Sequence, residues 1–138
     1  YDPKGLPREL HVEKALDIVD LNDSLGHEII HSVKKPYKEI YVNNKVTIKD
    51  YPGNKYYKTQ VIKMNKKGTL SIQFDRGYGV GFSLHGRGSI TTKLKEEHVG
   101  QGQGFFCPNA GREFDFKSDL EDWFIVFVTP SKAQLSWK

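Results

Sequence analysis

The sequence predicts a mostly β protein of one domain, a β-barrel of the jelly-roll kind preceded by a short amphipathic helix. From about residue 36 onward, apolar side chains recur at every second position, as in strands of a sheet that is covered on one side. The strands are short, follow one another at intervals of about 8 to 12 residues and are separated by glycine-containing turns, as in sandwiches and barrels. A length of 138 residues suits one domain with one core.

Residues 1–35 are predicted to form the helix and a connector. The stretch PRELHVEKALDIVD, from Pro7 to Asp20, has apolar residues at the i, i+3, i+4 and i+7 positions of one helical face. These residues are Val12, Ala15, Leu16 and Val19. On periodicity alone, this is a lid or bridging helix packed on a domain. The polar stretch that follows contains Gly26 and is interpreted as a connector.

Residues 36–138 are predicted to form the barrel. The predicted strands carry Ile40 with Val42, Val46 with Ile48, the segment Tyr56–Met64, Leu70 with Ile72 and Phe74, Val80 with Phe82 and Leu84, Ile90 with Thr92 and Leu94, Phe105–Cys107, Phe114 with Phe116, and the run Trp123–Val128. We expect the alternating apolar side chains to face the core. Glu96 and Glu97 are interpreted as turn and surface residues, not as an acid–base pair, because no apolar residues bracket them.

Five glycines lie within and on either side of the predicted strand that carries Val80, Phe82 and Leu84. They are Gly77, Gly79, Gly81, Gly86 and Gly88. No Gly-Lys-Ser/Thr follows them and no helical pattern begins there, which argues against a phosphate-binding loop. They are predicted to mark bulges and tight corners where backbone approaches backbone.

Charge and composition give little support to a nucleic-acid or membrane partner. The net charge is +4 with a pI near 9.1, and the lysines are spread along the chain instead of forming a basic face. No run of roughly 18 apolar residues could span a bilayer. The single cysteine, Cys107, lies in an apolar run and is interpreted as a buried side chain in preference to a reactive thiol. Its usage fits a reducing compartment, so we expect a cytoplasmic protein.

The segment GQGQGFFCPNAGREFDF resembles the second half of a cupin signature. Gly104, Pro108 and Gly111 match the turn of that signature, but about Arg112–Glu113 occupies the position of its metal-binding histidine. The other half of the signature requires two histidines one residue apart followed by a glutamate, and His85 stands alone. A first-row metal needs several converging nitrogen or carboxylate ligands, so the resemblance implies a degenerate cupin without a metal.

The block PRELHVEKALDIVD resembles the segment that opens the C-terminal part of type I mannose-6-phosphate isomerases of the short bacterial kind. The resemblance extends in order through the strand around Tyr57–Met64, the segment FSLHGRGSI and the cupin-like turn. In that family two cupin-like barrels are joined, the first binds zinc, and the second is degenerate. The resemblance therefore implies residues 36–138 to be the degenerate barrel, with the helix bridging to its neighbour.

The catalytic residues of that family lie upstream of the helical block. They are a glutamine, two histidines and a glutamate that bind zinc, with an arginine at the sugar phosphate. Only Tyr1–Leu6 precede the block, and the chain has no initiator methionine, so we expect sequence upstream. The resemblance implies no catalytic or metal-binding residue and no cofactor in this chain. Its expected partner is the N-terminal zinc-binding cupin domain of the same enzyme.

Two further groups of residues are candidates for a site. His27-Glu28-Ile29-Ile30-His31 satisfies the zinc-protease spelling His-Glu-x-x-His, but it lacks a long helix and a third ligand, and chance is the better interpretation. His85 and Arg87 lie in a strand-to-turn segment and, with period two, would point the same way. Together with Arg112 and Glu113 they are candidates for binding a ligand such as a sugar phosphate, or for an interdomain contact. Otherwise they are ordinary solvent-facing residues.

Two hypotheses about function remain from the sequence. The chain is either the catalytically silent C-terminal half of a zinc-dependent isomerase that interconverts mannose 6-phosphate and fructose 6-phosphate, or a stand-alone cupin that binds a carbohydrate or a protein. Fold does not choose between them, because barrels of this kind host unrelated functions.

Overall fold

The computed structural model describes residues 36–110 and 113–138, and this part of the chain is built from antiparallel β-strands. The eleven strands are β1 (Lys38–Val42), β2 (Val46–Tyr51), β3 (Tyr57–Met64), β4 (Thr69–Arg76), β5 (Gly79–His85), β6 (Gly88–Thr91), β7 (Glu96–Val99), β8 (Gly104–Cys107), β9 (Glu113–Ser118), β10 (Trp123–Pro130) and β11 (Gln134–Trp137). The predicted helix, the connector, and His27 and His31 lie outside the described residues. The division at residue 35 stays a prediction.

The strands form two sheets that enclose one core. The six-stranded sheet has the order β1-β2-β3-β10-β5-β8, and the five-stranded sheet has the order β11-β4-β9-β6-β7. Strands that are distant in sequence are therefore neighbours, as in the pairing of β10 with both β3 and β5. This arrangement confirms the prediction of a mostly β, jelly-roll architecture.

The core is dominated by aromatic side chains from both sheets. Burial alternates strictly along β10, with Trp123, Ile125 and Phe127 facing the interior and the residues between them only half-buried. The ring of Phe127 lies 6.3 Å from that of Phe74 in the other sheet, centroid to centroid. Its other ring neighbours are Phe105, Phe116 and Trp137, at 6.1 to 6.4 Å. Aromatic pairs at such distances add favourable edge and stacking contacts to the burial of apolar area.

The prediction for the inward face of β5 is wrong. Val80, Phe82 and Leu84 face outward and are 44% to 48% exposed, whereas Gly79, Gly81 and Ser83 face the core. The reason is the size of the rings opposite. A Cβ at Gly79 would lie 2.1 Å from the ring of Phe127, and a Cβ at Gly81 would lie 2.0 Å from the ring of Phe105. These two glycines make room for rings; they do not mark corners as predicted.

The region between β6 and β7 also differs from the prediction. The strand that begins at Gly88 ends at Thr91, because the side chain of Thr92 accepts hydrogen bonds from the backbone N–H groups of Leu94 and Lys95 and turns the chain. Leu94 is therefore not a strand residue but lies at the tip of a turn, 94% exposed. Glu96 and Glu97, predicted in a turn, begin β7 and pair with β6.

Within the two described ranges, no helix has the length and apolar character needed to cross a lipid bilayer.

Candidate functional site

Binding of a metal by the described part of the barrel would require several ligand side chains to converge there. Among the residues that the structure describes, no three His, Cys, Asp or Glu side chains converge to hold an ion. The position that follows the cupin-like turn shows why. Phe114 faces the core, where its ring lies 6.0 Å from that of Phe74, while Glu113 is half-buried on the opposite side of β9. Aromatic rings supply none of the oxygen, nitrogen or sulfur ligands that zinc needs, so these residues do not fit the ion.

His85 and Arg87 make separate contacts at the protein surface. The imidazole of His85 lies 6.0 Å from the ring of Phe124 on the outer side of the six-stranded sheet. The Nε atom of Arg87 lies 3.2 Å from Oε1 of Glu121, and both side chains of this pair are largely exposed. Gly86 between them has a φ of +74°, so the chain turns there and the period-two relation does not continue. Arg112 lies outside the described residues.

Arg87 also lines a cavity of about 860 Å³ whose side chains carry charges of both signs. Its lining contains three cationic side chains, two carboxylates, a serine and a leucine. They are Lys67, Arg87, Lys117, Ser118, Asp119, Leu120 and Glu121. Exposed ion pairs of this kind contribute little to stability, and the guanidinium of Arg87 already has a carboxylate partner. Polar groups of both signs could hydrogen-bond a sugar phosphate here.

A second cavity, of similar volume, lies in the seam between the two sheets, and we call it the seam cavity. It has a volume of about 890 Å³ and lies between β7, at one edge of the five-stranded sheet, and β8, at one edge of the six-stranded sheet. Its apolar lining includes Ile90, Val99, Phe105, Cys107 and Phe114, and its polar rim includes Thr92, Lys93, Lys95, Glu97, His98 and Gln103. Cavities of this size and character are typical small-molecule sites.

The thiol of Cys107 in this cavity is not a nucleophile at neutral pH. The side chain is almost fully buried, and burial raises the pKa of the thiol to about 12 because the thiolate would lose its hydration. The prediction that Cys107 is a buried side chain is confirmed. By contrast, a hydrogen bond and the charge of Lys95 lower the pKa of Glu97, whose carboxylate accepts from Nζ of Lys95 at 2.7 Å.

The outer side of the six-stranded sheet carries a contiguous apolar surface, which we call the outer apolar face. Its members lie on β5, β8 and β10 and on the turn before β5. They are Tyr78, Val80, Phe82, Leu84, Phe106, Phe124, Val126 and Val128. Phe82 pairs directly with Val126 across strands, and Val80 lies between Val128 and Phe106. Contiguous apolar surfaces of this kind mark interaction sites.

Sequence reasoning missed both the seam cavity and the face assignment of β5. The face of β5 could have been questioned from the alternation of Gly79 and Gly81 with large apolar residues. Glycines can also face a core, so this alternation alone does not tell which side of the strand is buried. No comparable signal marks the seam cavity, because its walls come from strand ends that only the sheet topology brings together.

Comparison with known proteins shows the fold. The polyketide cyclase RemF from Streptomyces resistomycificus is 16% identical with a TM-score of 0.60 over 72% of this chain and 76% of its own. An RmlC-like cupin from Shewanella frigidimarina is 11% identical with a TM-score of 0.58, covering 70% and 84%. An uncharacterized protein with a double-stranded β-helix domain from Klebsiella pneumoniae is 13% identical with a TM-score of 0.61, covering 70% and 87%.

The chain therefore has a cupin fold, a double-stranded β-helix. No family model matches the sequence, and no curated protein matches it. At these identities the similarity extends to the fold and not to an activity.

Proposed function

We propose that this chain is the metal-free, C-terminal cupin domain of a cytoplasmic mannose-6-phosphate isomerase and has no activity alone. The observation that carries the proposal is the outer apolar face on a barrel whose interior is filled by aromatic rings. Such a barrel offers an apolar surface to a partner, while its described residues bring together no set of ligands for the metal that the reaction uses. The choice of this particular enzyme rests on the resemblance of the block PRELHVEKALDIVD to type I mannose-6-phosphate isomerases.

The chemistry of the reaction supports a division of labour between two barrels. Interconversion of an aldose and a ketose moves a proton between neighbouring carbons and needs a positioned base, with a metal that polarises the oxygens in this family. In the described ranges no set of ligands could hold that metal. The proposed role of this barrel is to brace the zinc-binding barrel, which would cover the outer apolar face.

The activity of the isolated chain tests the first half of this proposal. Purified chain incubated with zinc and mannose 6-phosphate is expected to form no fructose 6-phosphate above the uncatalysed rate, measured by a coupled enzyme assay. A zinc-dependent isomerase in the same buffer serves as the positive control. Turnover at an enzyme-like rate, roughly 1 per second or faster, would contradict the proposal.

The association of the isolated chain tests the second half. Without its partner, the outer apolar face should cause concentration-dependent self-association, because apolar surface leaves water when two copies meet. The change Phe82→Lys places a charge at the centre of that face and is expected to weaken association by tenfold or more, about 1.4 kcal/mol, measured by sedimentation equilibrium.

The matched control is Leu120→Lys, which introduces the same charge at an exposed apolar residue outside the face. This control should associate like the unmodified chain. A wild-type chain that stays monomeric at high concentration, or equal losses in the two variants, would count against the face as a docking surface.

The second candidate is a stand-alone cupin that binds a carbohydrate or sugar phosphate, and the mixed-charge cavity around Arg87 favours it. The reading frame upstream of Tyr1 separates the two candidates. A Gln-x-His pair encoded there supports the isomerase, whereas a start codon close to Tyr1 supports the stand-alone module.

A further inference from the structure

The seam cavity has an apolar floor that no other part of the described chain covers. The lining residues that are buried in the core are Ile90, Val99, Cys107 and Phe114, and the partly buried Phe105 packs against that core. With the thiol of Cys107 protonated, these residues present no charge to the cavity. A ligand that reaches the floor must therefore have an apolar body, because a polar one would lose hydration without gaining hydrogen bonds.

The volume of the seam cavity sets the size of that body. About 890 Å³ lies within the range of cavities that hold one drug-sized molecule. The cavity opens at the edges of two sheets, so a ligand can enter without separating paired strands.

The rim of the seam cavity adds an excess of positive charge. Lys95 and Glu97 neutralise one another through their contact at 2.7 Å, and the lowered pKa of Glu97 keeps its carboxylate charged at neutral pH. Lys93, on the same turn, has no carboxylate within ion-pair distance among the described residues. Its ammonium group is thus the unbalanced charge among the side chains that line the cavity.

We propose that the seam cavity binds a small amphiphilic anion, with an apolar body on the floor and one carboxylate, sulfonate or phosphate group at Lys93. Charge complementarity selects the head group, and the apolar floor selects the body. This site shares Phe106 with the outer apolar face, but its floor lies between the sheets and the proposal does not depend on the isomerase assignment.

The experiment compares two fluorescent probes that share one apolar body. Anilinonaphthalene sulfonate carries an anionic group, and phenylnaphthylamine is the same body without it. Both are titrated into the 138-residue chain at low ionic strength, because salt screens an exposed charge. The sulfonate probe is expected to bind more tightly. Lys93→Glu is expected to weaken its binding roughly tenfold, about 1.4 kcal/mol, and to leave the neutral probe within about twofold.

The matched control is Lys132→Glu, the same charge reversal at an exposed lysine of the β10–β11 turn, away from the cavity. It should bind both probes like the unmodified chain. Amide chemical shifts locate the bound probe, with changes expected at Val99 and Cys107 and not at Val61 and Val126, which lie on β3 and β10 outside the cavity lining. Equal losses in both variants, no loss in Lys93→Glu, or shifts centred on Val61 and Val126 would overturn the proposal.

Discussion

Replacing Gly86 by alanine is expected to lower the free energy of unfolding by about 3 kcal/mol or more, measured by urea denaturation. Gly86 has a φ of +74°, a conformation that residues with a Cβ adopt at a cost. An added Cβ would also lie 2.0 Å from the backbone oxygen of Asp122. That oxygen has little freedom to move, because Trp123 follows it and is fully buried in the core.

The variant Gly102→Ala separates the two causes of the loss expected at Gly86, which are the positive φ and the close approach to the backbone of Asp122. Gly102 has a similar φ of +80°, but nothing lies within 4 Å of a Cβ built on it. Its replacement should cost only the conformational penalty, about 1 kcal/mol. Equal losses for the two variants would mean that the close approach to Asp122 does not constrain the corner. A tolerated Gly86→Ala would contradict the positive φ as well.

Glycine shows how far the sequence determines this fold. The prediction of a tight corner is right at Gly86, where the backbone has a positive φ that glycine adopts without strain. This requirement is local, so the sequence can indicate it. At Gly79 and Gly81 the requirement is tertiary, since the rings that fill the space come from β10 and β8. Local sequence contains no record of what lies opposite. The rule that apolar side chains face inward therefore chose the wrong face of β5.

The same rule succeeded for β4 and β10. In β10 the buried set includes Trp123 and Phe127, and in β4 it includes Phe74, so large side chains occupy the inward positions. Facing these large rings inward removes more apolar area from water than facing the other side of the strand inward would. The period-two pattern therefore assigns the buried face of β4 and β10 correctly. Strand identity was thus predictable wherever the pattern of side-chain size agreed with the packing.

The candidate sites were harder to predict than the strands. Residues with charged or titratable side chains can be recognised in a sequence, and the predicted candidates were of this kind. They were His85, Arg87, Arg112 and Glu113. The seam cavity is formed mainly by residues that look like ordinary core, such as Ile90 and Phe114. The order of the strands places β7 and β8 at the edges of their sheets, and this is why core residues line the seam cavity.

Two phenylalanines on strands that are consecutive in the sequence, Phe74 on β4 and Phe82 on β5, test directly which face of β5 is buried. Phe74 is 1% exposed and packs against the rings of Phe114 and Phe127, so Phe74→Ala should lower the free energy of unfolding by about 3 to 5 kcal/mol. Phe82 is 44% exposed on the outer apolar face, so Phe82→Ala should cost about 1 kcal/mol or less in the monomer. Urea denaturation at low protein concentration measures both.

Each variant is the control for the other, because the same side chain is truncated to the same residue. A large loss at Phe82 would mean that β5 turns its apolar residues inward, as the alternation in the sequence predicts. Gly79 and Gly81 would then face outward, and the rings of Phe105 and Phe127 would need other space in the core. Such a result would remove the outer apolar face and with it the surface proposed to receive the zinc-binding barrel. The result expected from the structure, a small loss at Phe82, leaves that surface intact and shows that the side chain of Phe82 contributes little to folding.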